Sequence, residues 1–334
     1  MKFVKIYSEE TIAGTIKKRE GETKLGEEIL FLKANQDLEK SSALYVILGI
    51  PEDIGVRANY GNSGTSEAFQ EGIKSFLNIQ KNEFFNPDKI LLLGEIDCNK
   101  QMEQAEALDK KDAHFAEKLG ELVIQIDHKV SAVIEAIVGA GKIPIIIGGG
   151  HNNSFGNIKG TATALKKPIN CINFDAHSDF RALEHRHSGN GFSYAFEEGF
   201  LGKYFIFGLQ RNYTSEGNFK TLQKNSDRIK YALFEDICFS EENTFKKEIQ
   251  NAEAFSCDSE FGLEIDMDAI ENMGSSAMSP SGFTVNQTRH FIRYFSKNKN
   301  CRYIHICEGS PKAGIFENQV GKAISYFISD IVSK

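Results

Sequence analysis

The chain of 334 residues carries 39 Lys and Arg against 46 Asp and Glu, a formal charge of −7, with a quarter of its residues charged and no Trp. That balance gives no electrostatic reason to bind nucleic acid or an anionic membrane, and the length allows a substantial core. Six Cys form no CxxC pair, no apolar run reaches membrane-spanning length, and Met1–Lys5 lacks the apolar stretch of a signal peptide, so a reduced, cytoplasmic protein is expected.

Residues 1–42 are polar and read as an N-terminal arm or insertion. From residue 43 to 334 the pattern is that of one α/β unit, in which β-type runs alternate with helical stretches. Strands are expected at Ala43–Ile50, Lys89–Leu93, Ile143–Ile147, Ile169–Phe174, Tyr204–Leu209, Lys230–Phe234, Gly262–Met267 and Tyr303–Cys307. Several are continuously apolar, as parallel strands covered on both faces must be. The clearest helix is Ala113–Val138, where Leu119, Val123, Ile126, Val130 and Ile137 recur at helical spacing before Gly139 and Gly141. Thr284–Ser296 and Gly321–Val332 read the same way.

The chemistry-bearing residues fall where these strands end. Ile143–Ile147 runs into Gly148-Gly149-Gly150-His151, and Ile169–Phe174 into Asp175. The strand from Gly262 ends at Asp266-Met267-Asp268, and the one from Tyr303 at Glu308. In an open parallel sheet the ligand site lies beyond the carboxyl ends of the strands. Asp175, His177 and Asp179 occupy alternate positions, so if the extended chain continues they reach into one volume. Two carboxylates and an imidazole there repel or exchange protons unless a cation intervenes. With His151, Asp266 and Asp268 they make six candidate ligands, more negative charge than one divalent ion needs. The oxygen-rich set favours Mn²⁺, with Fe²⁺, Co²⁺ or Zn²⁺ also compatible. Two such ions about 3.5–4 Å apart lower the pKa of a shared water enough for attack at neutral pH. The plainer alternatives are capping for Asp266 and Asp268 and an anion-cradling turn for the glycines, which no GxGxxG or GxxxxGK[ST] pattern accompanies.

In that order, GGGHNN at 148–153, NFDAHSD at 173–179 and EIDMD at 264–268 resemble the three metal motifs of the ureohydrolase, or arginase-like, family. The resemblance runs from about Gly49 to the C-terminal helix. It implies a three-layer α/β/α fold with a mostly parallel eight-stranded sheet, two Mn²⁺ per chain, and hydrolysis of a C–N bond in an amidine or guanidine. By position, His151 and Asp179 would bind one ion and His177 and Asp268 the other, with Asp175 and Asp266 bridging. Glu308 would receive the substrate's cationic nitrogens, and Asp179 would relay a proton to the leaving amine. Family analogy also implies a homo-oligomer.

The substrate is read from the flanks. Arginases carry SGNxH in the loop after the second motif; here Ser188-Gly189-Asn190-Gly191-Phe192 puts Phe192 at the histidine position, with His185 and His187 nearby as solvated loop histidines or substitute proton carriers. DAHSDFR, ending in Arg181, and Asp53–Gly61, containing Arg57, resemble formimidoylglutamases instead. Arginine suits paired hydrogen bonds to a carboxylate, and formimidoylglutamate has two. The expected function is therefore hydrolysis of N-formimidoyl-L-glutamate to L-glutamate and formamide, a step of histidine breakdown, with Arg181, Arg57 and Asn190 as substrate-binding residues and the loop Gln210–Tyr213 assisting. Alternatives are an arginase, agmatinase or guanidino-acid ureohydrolase, a single-Zn²⁺ deacetylase of the same fold, and a metal-binding scaffold without catalysis.

Overall fold

The continuous apolar runs form parallel strands in the computed structural model, which describes residues 1–33, 37–241 and 244–334. In chain order the strands are β1 (Val4–Ile6), β2 (Leu30–Phe31), β3 (Tyr45–Gly49), β4 (Ile90–Ile96), β5 (Ile143–Ile147), β6 (Ile169–Phe174), β7 (Leu201–Leu209), β8 (Ile229–Leu233), β9 (Phe261–Asp266) and β10 (Cys301–Cys307). They lie in one sheet in the order β1-β4-β3-β5-β10-β9-β6-β7-β8, with β2 also on β4. Only β1 is antiparallel to its neighbour.

The pleat divides the core. Ile47, Ile145 and Ile147 join an apolar cluster with the helices Ala68–Phe76, Val285–Ser296 and Gln319–Val332. Val46, Leu48 and Ile146 point the other way, into a cluster built on the helices Phe115–Gly139 and Asn153–Leu165. Burial on both faces is what forbids polar alternation in these strands and produces three layers. Eight of the strands, β3 to β10, are the expected ones. Among the described residues the sheet nevertheless has ten, because β1 and β2, too short to show a period, come from the segment read as an N-terminal arm or insertion. Residues 34–36 of that segment lie outside the described residues. Among the described residues no helix is long and apolar enough to cross a membrane.

Strand order fixes the site. β5, β10, β9 and β6 are consecutive neighbours in the middle of the sheet. The four strand ends that carry His151, Glu308, Asp266 and Asp175 therefore lie side by side, although up to 157 residues separate His151 from Glu308 in a direct hydrogen bond.

Candidate metal centre and cavity

After β5 the chain turns through Gly148 and Gly149, at φ of 85° and 75°. That left-handed region strains any residue with a Cβ. A Cβ on Gly149 would also lie 2.4 Å from Asn153 Nδ2 and 3.0 Å from Glu52 Oε1. The space is needed because the buried Glu52 carboxylate stitches this turn to the next loop. Its Oε1 accepts from Gly150 N, Asn152 Nδ2 and Asn153 Nδ2, and its Oε2 from Ile54 N and Gly55 N. His151 is thereby held at the sheet edge, fully buried.

Around His151 Nδ1 stand three carboxylates: Asp179 Oδ2 at 2.8 Å, Asp266 Oδ2 at 3.1 Å and Asp175 Oδ2 at 3.3 Å. A second group, His177, Asp266 and Asp268, lies against it, and Asp266 belongs to both. Asp175 spans them as well, its Oδ1 lying 3.5 Å from His177 Nδ1 and accepting from His177 N at 2.6 Å. Asp266 Oδ1 accepts from Asp268 N, while Asp268 accepts from Ser276 Oγ and Ala277 N. All six ligand candidates from the sequence thus converge. The route differs from the expected one: β6 stops at Phe174, and Asp179 is reached by a bend in which its own φ is 44°.

The charge balance of this group calls for cations. Burial, then the adjacent carboxylates of Asp175 and Asp268, push Asp266 well above the usual carboxylate range. Asp179 and Asp268 are raised mainly by burial. Asp175 is lowered despite its burial, because it lies between His151 and His177. Burial opposes charging of the imidazoles, but the surrounding groups, Asp175 prominent among them, raise both. Protons thus stand in for a cation, and four carboxylates with two imidazole nitrogens fit a pair of divalent ions.

Glu308, at φ 60°, accepts from His151 N through Oε1 at 2.6 Å, while its buried Oε2 has no hydrogen-bond partner. Burial, then Asp268, raises its carboxyl from 4.5 to about 8. Between those pH values the folded chain keeps a proton that the unfolded chain has released, so stability falls as pH rises through that window. The raised His151 and His177 act in the same direction. Chelator-treated protein is expected to lose melting temperature from about pH 5 to about pH 8, with a divalent ion raising it more at the upper end. Differential scanning calorimetry checks this; a metal-free melting temperature that climbs across the window contradicts it.

The cluster floors a cavity of about 1150 Å³ whose wall includes Asn59, Arg181, Glu184, Tyr213, Lys224 and Glu308. Arg181 is half exposed, its Nη1 donating to Asn59 Oδ1 at 2.5 Å and its Nη2 to Glu184 Oε1 at 3.0 Å. Tyr213 tilts over the His177 ring with centroids 5.0 Å apart, whereas Arg211 of the same loop turns out to Asp236.

Two residues expected at the substrate are committed elsewhere. Arg57 is off the cavity wall, bonded to Glu106 Oε1 at 2.6 Å and to the Ala105 carbonyl, with Asp53 at 3.6 Å. Asn190 is fully buried, accepting from Arg186 Nη1 and His187 N and donating to the His185 carbonyl. Arg186, itself buried, forks onto Asp127, and this interior ion pair anchors the loop. His187 is not a solvated loop histidine: it is buried, Nδ1 accepting from Gly189 N and Nε2 facing Glu184. Burial lowers it to about 4, so it stays neutral. Phe192 lies beneath the site, stacked on Tyr204 at 4.4 Å and edge-on to His151 at 5.1 Å. Tyr213 belongs to the loop expected to assist, whereas Asn59 was not singled out. Asn59 stands in the same motif as Arg57, so the motif reaches the cavity wall through a different side chain from the one expected.

Comparison with known proteins agrees with this geometry. Residues 43–332 match the family model described as the arginase family. A formimidoylglutamase of Macrococcus caseolyticus is 28% identical over 211 residues, 62% of this chain and 65% of that one, slightly under two thirds of its length. The solved formimidoylglutamase of Bacillus subtilis superposes with a TM-score of 0.75 at 18% identity, covering 95% of this chain and 93% of that one. The Trypanosoma cruzi formiminoglutamase solved with Mn²⁺ gives 0.71 at 16% identity, covering 93% and 97%. With its three motifs gathered at one sheet edge and the family model matched over most of its length, the chain belongs to the arginase family.

Proposed function

We propose that this arginase-family hydrolase holds two Mn²⁺ ions and converts N-formimidoyl-L-glutamate and water to L-glutamate and formamide. The observation that carries the substrate choice is Arg181, braced by Asn59 on the wall of a cavity floored by His177, Asp179, Asp266 and Asp268, with His151 and Asp175 buried in the same cluster. The formimidoylglutamase relatives and the Mn²⁺ in the Trypanosoma cruzi structure support the reading.

His151, Asp179, Asp175 and Asp266 would hold one ion, and His177, Asp268 and the shared Asp175 and Asp266 the other. When bound, the pair supplies Lewis-acid activation of water and of the amidine. The protein's own groups do the rest. Glu308 Oε2, buried and unpartnered, accepts from the amidinium N–H groups and turns the formimidoyl carbon towards the floor. Asp179, the more exposed carboxylate of its cluster, takes the proton released by water and delivers it to the glutamate nitrogen as the C–N bond breaks. Arg181, exchanging its half-exposed contact with Glu184, grips a substrate carboxylate by paired N–H donors, and Lys224 on the same wall supplies a second positive charge. Arg57 and Asn190 play no direct part.

The test is the Mn²⁺-loaded protein on formimidoylglutamate, arginine, agmatine and guanidinobutyrate, with urea and formamide both measured. Formamide from formimidoylglutamate is expected. Urea from arginine or agmatine without formamide would replace this substrate with a guanidine.

A further inference from the structure

Behind His151, on the side away from the cavity, lies a buried polar cluster that the reaction does not use. His151 Nε2 points into the sheet, buried and without a hydrogen-bond partner. The carboxylate oxygen facing it is Glu264 Oε2, at 3.5 Å, with the Cys307 thiol also near the ring. Glu264 stands on β9 two residues before Asp266, so both are on one face of the strand, with Glu264 one step deeper.

A lone carboxylate at that depth is strongly disfavoured unless it is paired and hydrogen-bonded. Here β10 supplies the partners. Tyr303 donates its OH to Glu264 Oε1 at 2.8 Å, and His305 Nδ1 lies 2.5 Å from Oε2. His305 Nε2 is 3.2 Å from the Gly148 carbonyl. A carbonyl only accepts, so Nε2 carries a proton.

Glu264, His305 and Cys307 converge closely enough to suggest a third ion site. The hydrogen bonds argue otherwise. Both ring nitrogens of His305 are engaged, and Cys307 Sγ donates to the Ile265 carbonyl. No nitrogen or thiolate lone pair is left to offer.

We infer that Tyr303 and His305 hold Glu264 as the acceptor for His151 Nε2–H, a positioning role that fixes the tautomer leaving the Nδ1 lone pair aimed at the centre of the carboxylates. The inference rests on His151 being an ion ligand, as proposed above. A ring movement of roughly half an ångström closes the contact to hydrogen-bond length. Imidazoles that bind metal through one nitrogen almost always donate from the other, and losing that partner costs about 10–100-fold in metal affinity.

The experiment is Mn²⁺ titration of metal-free protein, followed by the electron paramagnetic resonance of free Mn²⁺. It compares the parent with Glu264→Gln/His305→Gln, which removes both members of the buried pair, and with Tyr303→Phe, which leaves the carboxylate in place. In the double variant one of the two ions is expected to bind about 10–100-fold more weakly, with a smaller change in Tyr303→Phe. A folded double variant that binds both ions with parental affinity overturns the positioning role. Should that variant fail to fold, Glu264→Asp decides: it keeps the charge and withdraws it by one methylene, so a loss of about tenfold or more supports the role and unchanged affinity refutes it. A parent that binds no Mn²⁺ refutes the ion assignment itself, which keeps the two failures apart.

Discussion

Asp266→Ala is expected to bind fewer than two Mn²⁺ per chain and to lose more than about a hundredfold in turnover. An outer partner of a metal ligand is worth about 10–100-fold, and Asp266 is an inner group common to both clusters. It also holds its neighbour in place, since Oδ1 accepts from Asp268 N while Oδ2 faces His151 Nδ1 at 3.1 Å. Asp266→Asn separates these duties, because the amide oxygen keeps the Asp268 bond and the charge is gone. Burial and its carboxylate neighbours raise Asp266 well above the usual range, so the metal-free fold does not gain from its ionisation. The metal-free Asn variant should therefore melt no lower than the parent above about pH 6, while its ion binding collapses. Metal stoichiometry by mass spectrometry, formamide release and calorimetry read the three effects separately. Two ions and parental turnover in Asp266→Ala would sink the dinuclear assignment.

What the sequence made legible was local. Each candidate ligand sits at or just after a strand end, and several of the strands β3 to β10 announce themselves as apolar runs, so the ligands' arrival at one sheet edge followed from the pattern. Two things lay beyond it. One is strand adjacency: nothing in the spacing says that β10 separates β5 from β9, and that neighbourhood builds the Glu264–His305 pair behind His151. The other is the private partners of polar side chains. Arg57 looked available because Glu106 is 49 residues away, and nothing in the sequence around Asn190 says that its amide is taken by Arg186 and His187. Even the alternation of Asp175, His177 and Asp179 picked out residues that converge by another route, since the chain bends after Phe174. Motif chemistry survives such errors because a cation selects the donors, whichever backbone path presents them. Substrate contacts do not, because any nearby carboxylate can claim an arginine.

Arg181 is the arginine that remains on the cavity wall, and Arg181→Ala is expected to raise KM for formimidoylglutamate by about 10–100-fold with kcat changed far less. A hydrogen bond to a charged group is worth about 1.5–3 kcal/mol, and half-exposure of the side chain places the effect towards the lower part of that range. The substrate's carboxylates lie away from the bond that breaks, so their grip is felt equally in ground and transition states and falls on KM. Arg181→Lys should recover only part of the loss, because an ammonium cannot reproduce the planar fork. An N-alkylformamidine without carboxylates supplies the control: its kcat/KM should be the same in parent and variant. Asn59→Ala, which frees the guanidinium from its brace while leaving the charge, should raise KM by less than Arg181→Ala does. Steady-state kinetics of these variants on both substrates is the measurement. If Arg181→Ala leaves KM for formimidoylglutamate unchanged, the acidic tail is held elsewhere, and the cavity's preference for an acidic amidine loses the residue that argues for it.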